Sequence, residues 1–107
     1  MIIVEKNEGV KINYSVDGTK LTLNDEMTLD LGKYERDFPV HIDICTNKFG
    51  FLSFGLSEKY VAQIDIPARE YQEVQNGTDE EGNPKIEMVP VAFDMDKVKL
   101  TLWSLEG

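Results

Sequence analysis

With 107 residues, 41% of them hydrophobic, the chain has the length of one domain and enough apolar material for a single modest core, so residues 1–107 are read as one β domain. A formal net charge of −9 opposes the phosphate backbone, whose attraction for Lys and Arg supplies non-specific nucleic-acid affinity, so no direct nucleic-acid contact is expected. One cysteine, Cys45, cannot form an intramolecular disulfide, which fits a cytoplasmic protein better than a small secreted one.

Met1-Ile2-Ile3-Val4 is apolar, but Glu5, Lys6 and Glu8 follow at once, so neither a signal-peptide core nor a membrane span is read there. Val10, Ile12, Tyr14 and Val16 then alternate with Lys11, Asn13 and Ser15, the period of a half-buried strand. Asp17-Gly18 predicts a two-residue hairpin turn that pairs Val16 with Thr19, Tyr14 with Leu21 and Ile12 with Leu23. A second turn at Asn24-Asp25-Glu26 sets Leu23 opposite Met27 and Leu21 opposite Leu29, completing a three-stranded meander.

After a charged connection over residues 33–37, Phe38, Val40, Ile42 and Ile44 alternate with Pro39, His41, Asp43 and Cys45 as a further strand. Asn47-Lys48-Phe49-Gly50 predicts a turn into Phe51-Leu52-Ser53-Phe54, whose apolar residues on both faces suit a central strand, or one packed against a second sheet or another subunit. From Glu58 the alternation resumes, with Tyr60, Ala62, Ile64 and Ile66 on one face and Lys59, Val61, Gln63 and Asp65 on the other.

Residues 64–74 and 85–93 read as the two arms of a long β-hairpin around the acidic loop 76–84. From Glu70 to Asp96 eight acids face one base, Lys85, so this segment holds most of the net charge. Pro67 and Pro90 lack amide hydrogens, which puts their arms at an edge and predicts a ribbon that kinks or leaves the body of the domain. Residues 94–97 connect to a last strand in which Val98, Leu100 and Leu102 alternate with Lys99, Thr101 and Trp103. The fold expected is all-β: a small antiparallel sandwich or barrel of about seven or eight strands with a long acidic hairpin.

Chemistry is hard to build from these residues. His41, Asp43 and Cys45 share a face of one strand, but neighbours on a face stand roughly 6.5–7 Å apart, whereas a nucleophile and its base must meet at about 3 Å. One His and one Cys make no zinc framework, and Asp79, Glu80 and Glu81 lack the spacing of a calcium loop. No phosphate-binding or nucleophile-elbow motif occurs, so no enzyme, no cofactor and no metal are expected. Tyr60, Tyr71, Phe93 and Trp103 suit a core or an interface better than a sugar-stacking platform.

The segments Ile64-Asp65-Ile66-Pro67-Ala68-Arg69-Glu70-Tyr71, Val89-Pro90-Val91-Ala92-Phe93-Asp94-Met95-Asp96-Lys97-Val98 and Leu100-Thr101-Leu102-Trp103, with the acidic loop between them, resemble small uncharacterised prophage-encoded proteins of Gram-positive bacteria. The resemblance spans residues 64–103 and implies a phage-related product, a virion component or an accessory factor. It carries no catalytic motif. The leading expectation is a non-enzymatic protein-interaction module contacting protein partners, itself included, with no membrane. Its surface would comprise Ile64, Ile66, Arg69, Tyr71, Val89, Val91, Phe93 and Trp103, beside an acidic tip of Asp79, Glu80 and Glu81. Two alternatives stand: an acidic decoy for a nucleic-acid-binding protein, and a small-ligand or carbohydrate-binding β domain.

Overall fold

Period-two alternation becomes ten strands in the computed structural model, which describes residues 1–105. They are β1 (Ile2–Glu5), β2 (Tyr14–Asp17), β3 (Lys20–Leu23), β4 (Met27–Asp30), β5 (Val40–Thr46), β6 (Leu52–Phe54), β7 (Lys59–Ile66), β8 (Tyr71–Thr78), β9 (Pro84–Pro90) and β10 (Lys99–Leu102). Single 3-10 turns at Leu31–Tyr34 and Met95–Lys97 are the helical elements among the described residues, and no helix is long and apolar enough to cross a membrane.

The strands form a five-stranded sheet in the order β1-β10-β7-β5-β6, the β2-β3-β4 meander and the β8-β9 ribbon, and none of the three closes into a barrel among the described residues. Ten strands replace the seven or eight expected, for two reasons. The β-branched run Ile2-Ile3-Val4 extends the main sheet, pairing parallel with β10, so that sheet is mixed and not purely antiparallel. The first hairpin arm also divides at Pro67, which ends β7 and hands the chain to β8 as a separate element.

One core joins the meander to the main sheet. Leu21, Leu23, Leu29 and Leu31 from the meander side pack with Ile44, Val61, Ala62, Ile64, Ile66, Val98, Leu100 and Leu102. Most of these are fully buried, and each such side chain contributes about 1.5–3 kcal/mol from burial. The meander thus covers one face of the main sheet, and Gln63, Asp65, His41 and Asp43 lie on the other.

Register in the meander is half as expected. β3 and β4 pair Leu23 with Met27 and Leu21 with Leu29, as the sequence predicts, and Asn24 and Asp25 supply the two positive φ angles, 53° and 52°, that a type I′ turn needs. In the first hairpin, however, Val16 pairs with Leu21 and Tyr14 with Leu23, so the two-residue loop is Gly18-Thr19 and not Asp17-Gly18. Gly18 takes φ +62° at the first loop position, where glycine meets no steric penalty. The displacement is by two positions, so every side chain keeps its face. Ile12 is buried without belonging to a strand, while Tyr14 and Val16 on edge strand β2 stay exposed.

A β-bulge between β5 and β7 alters a second expectation. Ile44 pairs with Ala62 but Cys45 pairs with Tyr60, which leaves Val61 as the extra residue. Both Val61 and Ala62 are therefore buried, and Tyr60 moves to the outer face, opposite to its expected place. β6 is an edge strand of three residues, so the central-strand reading of residues 51–54 is corrected.

Truncating Ile64 to Ala in urea denaturation is expected to cost about 2–5 kcal/mol, while Val16→Ala should stay within about 0.5 kcal/mol. Equal losses at the two positions would contradict this assignment of core and edge.

Candidate functional site

The ribbon is the part of the fold that the core leaves outside. Every residue of β8 and all but Val89 of β9 are exposed, and eight residues at about 3.3 Å each project it roughly 26 Å. The molecule measures 66 × 21 × 20 Å, with a radius of gyration of 18.8 Å, against about 13 Å for a compact chain of 100 residues. Pairing puts Tyr71 with Pro90, Glu73 with Met88 and Gln75 with Ile86 on one face, and Gln72 with Val89 and Val74 with Glu87 on the other. Large apolar side chains thus stand in solvent on both faces, with Ile86 and Met88 the most exposed. A two-stranded ribbon in water is marginally stable by itself.

Polar contacts anchor its base. Arg69, in the connector after Pro67, meets Glu35 Oε1 and Asp37 Oδ1, each at 3.3 Å, and donates from Nη2 to the Glu35 carbonyl at 3.1 Å. The Arg69 amide donates to the Arg36 carbonyl at 2.8 Å, and the Tyr71 hydroxyl donates to Asp37 Oδ1 at 2.5 Å. On the other arm the Val91 amide donates to the Glu70 carbonyl, and Lys97 pairs with Glu70 at 2.9 Å. Connector and strand end are therefore tied to the segment between β4 and β5, which sets the direction of the ribbon.

At the far end Asp79 is a structural residue. Its Oδ1 accepts from the amides of Glu81 and Asn83 at 2.9 and 2.8 Å, and its own amide donates to the Asn83 carbonyl. Glu80 and Glu81 point their charge outward from this turn, both exposed. Gly77, at φ +79°, lies in the register shift that precedes the tip.

The expected contact residues therefore separate. Ile64 and Ile66 are core residues, 0% and 1% exposed, because the pleat of β7 turns them toward the meander; they are withdrawn from the surface. Phe93 and Val91 are half-buried, Phe93 packing against the core. Arg69 belongs to the ribbon base, Tyr71 and Val89 to the ribbon itself. Trp103 lies on the outer face of the main sheet, at the end of β10.

On that outer face a hydrogen-bonded chain crosses three strands. His41 presents Nδ1 to Asp65 Oδ1 at 2.6 Å and Nε2 to Asp43 Oδ1 at 2.7 Å; Gln63 donates to the same Asp43 oxygen at 3.0 Å and accepts from Trp103 Nε1 at 2.9 Å. Trp103 stacks on Tyr60 with ring centroids 5.2 Å apart, and Lys6 lies over its ring. An imidazole held between two carboxylates must donate from both nitrogens, so the hydrogen bond to Asp65 first, and that to Asp43 next, raise its pKa above 6.5. Asp43 is lowered from 3.8, chiefly by the Gln63 hydrogen bond. Cys45, expected on the same face as His41 and Asp43, is instead buried at the bulge. Strand spacing alone could not reveal this chain, since Asp65 and Gln63 arrive from β7 through cross-strand register.

A third feature is a phenylalanine lobe formed by β6 and its flanking turns. Phe49, Phe51, Phe54 and Leu56 are 53–75% exposed. Asn47 Oδ1 orders the turn by accepting from the Phe49 and Phe51 amides, and Lys48 Nζ lies 5.2 Å from the Phe49 ring centroid. Five large apolar residues within residues 49–56, too many for one face of a short strand, were the available signal. The cleft at the ribbon base between Glu35, Pro67 and Phe93 holds about 20 Å³, room for one water and not for a small-molecule ligand.

Comparisons with protein-family models, with curated proteins and with solved structures returned no match to this chain.

The charge on His41 gives the outer face a pH dependence. A raised folded-state pKa stabilises fully below 6.5, and that contribution is lost as pH rises through the folded value. The Asp43 contribution is present above 3.8 and is lost as pH falls through its lowered value. The stability difference between wild type and His41→Ala, from urea denaturation, should therefore shrink as pH climbs above 6.5. An NMR titration of the His41 ring should give a midpoint above 6.5, and a midpoint below it would contradict the bracketed geometry.

Proposed function

We propose that the protein is a non-enzymatic interaction module, a structural or accessory subunit of a phage-like assembly, that makes contact through its β8-β9 ribbon. The observation that carries this reading is a ribbon with apolar side chains on both faces and none of its residues in the core. Such a surface gains about 25 cal/mol per Å² when a partner covers it, and its unpaired strand edges offer backbone hydrogen bonds as well. The resemblance over residues 64–103 supports the phage-related setting, with the protein cytoplasmic or virion-associated and its partners proteins, not nucleic acid or membrane.

The core shared by the meander and the main sheet favours a small sandwich for the body over a barrel. The His41 chain reads as a structural clasp: its carboxylates are engaged by His41 and Gln63, and it presents no nucleophile. A decoy function draws on Glu80 and Glu81 at the tip, and predicts binding that collapses with salt.

Removing residues 78–82 and closing the ribbon with a short turn should leave circular dichroism and thermal unfolding of the body near wild type, since the tip contributes nothing to the core. Substituting Ile86 and Met88 by Ser should abolish partner capture while the tip deletion preserves it. Loss of binding on tip deletion alone would favour the decoy reading.

A further inference from the structure

The outer edge of β6 carries a contact that strand pairing does not supply. The Asn47 amide donates to the Phe51 carbonyl and the Gly55 amide to the Asp43 carbonyl, so alternate residues along β6 face β5. Leu52 and Phe54, between them, direct their backbone groups away from the sheet. Glu26 Oε2 accepts from the outward Leu52 amide at 2.8 Å, from 26 positions earlier in the chain. The meander is built to deliver it. Asn24 and Asp25 take positive φ, the Glu26 amide donates to the Leu23 carbonyl at 3.0 Å, and the Asn24 amide donates to the Asn13 carbonyl at 2.8 Å, so an ordered turn presents the carboxylate. β6 pairs with the Thr46 end of β5, whereas the ribbon leaves beside the Val40 end, which makes this edge separate from the ribbon contact proposed above.

We infer that Glu26 is an edge guard: by occupying the outward amide of Leu52 it prevents β6 of a second copy from adding to the main sheet. The segment needs such a guard. Residues 49–56 contain no charge and no proline, the devices that otherwise blunt an edge strand, and they are rich in aromatic and aliphatic side chains. The segment also suits pairing with itself. In an antiparallel two-fold register centred on Ser53, Leu52 and Phe54 of one copy exchange backbone hydrogen bonds with Phe54 and Leu52 of the other. A carboxylate on the Leu52 amide takes one of the two donors from each exchange. It also brings two Glu26 charges together across any such interface, and like charges there disfavour association.

The test follows full-length wild type, Glu26→Ala, and Glu26→Ala combined with Phe54→Pro or with Phe54→Ser, by sedimentation velocity over a concentration series. Phe54 is exposed, so proline there removes the second outward donor of β6 without touching the core, while serine removes the ring and keeps the amide. Glu26→Ala should self-associate about tenfold more tightly than wild type or more, the scale of one or two net hydrogen bonds. Adding Phe54→Pro should return association to the wild-type level, and adding Phe54→Ser should not. Urea denaturation separates a guard from a simple tie between meander and β6, since a tie lowers the stability of all three variants and its loss promotes assembly that the proline cannot reverse. If Glu26→Ala associates no more than wild type, the guard is overturned. Association that survives Phe54→Pro, or that Phe54→Ser abolishes equally, would overturn it too, because the contact would then not run through the strand edge. Neither result bears on the ribbon reading, whose residues are unaltered in every variant.

Discussion

The structure depends on one constraint: the leucines of the meander must be buried against the isoleucines and leucines of the main sheet. Leu21, Leu23 and Leu29 can leave water only by covering Ile44, Ile64 and Leu100, and this single contact layer orients everything around it. It turns one face of the main sheet inward and leaves the other to polar side chains, where His41, Asp43, Gln63, Asp65 and Trp103 satisfy one another. It also limits the size of the body. Once the layer is filled, no core position remains for residues 71–90, and they extend into solvent as a ribbon.

Two prolines and a set of ion pairs convert that exclusion into a defined projection. Pro67 ends β7 because it cannot donate to the ladder, and Pro90 sits opposite Tyr71 at the last pair of β8 and β9. Between body and ribbon, Arg69 and Tyr71 converge on Glu35 and Asp37, while Lys97 holds Glu70. Each exposed pair is worth little by itself, about 0–1 kcal/mol. Acting together at the base of a lever, they fix direction more than stability.

Much of this was legible in residue order, and the failures have identifiable causes. The turn at Asn24-Asp25-Glu26 and its register followed from keeping Leu21, Leu23 and Leu29 on one face, and the structure agrees. The first hairpin slipped by two positions because Asp17-Gly18 and Gly18-Thr19 both place glycine at a loop position, and a shift of two preserves the apolar face that guided the reading. Tyr60 and Val61 exchanged faces at a bulge, whose extra residue leaves no mark in hydrophobic periodicity. β1 is not recognised as a strand from the residues alone, because its partner, β10, lies at the far end of the chain. An arm continuous through Pro67 would carry Ile64 and Ile66 on its surface, whereas β7 ends at Ile66 and both side chains are buried.

The order of residues by itself determined the β class, most turns, the acidic ribbon and its departure from the body at the prolines, because these follow from local rules: side chains alternate with period two, glycine and asparagine accept positive φ, and proline cannot donate. Only the tertiary structure decided which strands are neighbours. That choice created the His41 chain from residues on β5, β7 and the end of β10, placed β1 beside β10, and left the phenylalanine lobe on an uncovered edge at the end opposite the ribbon. The physical reason is that pairing and burial are non-local: a strand's outer face becomes core, clasp or contact surface only when the elements packed against it are known.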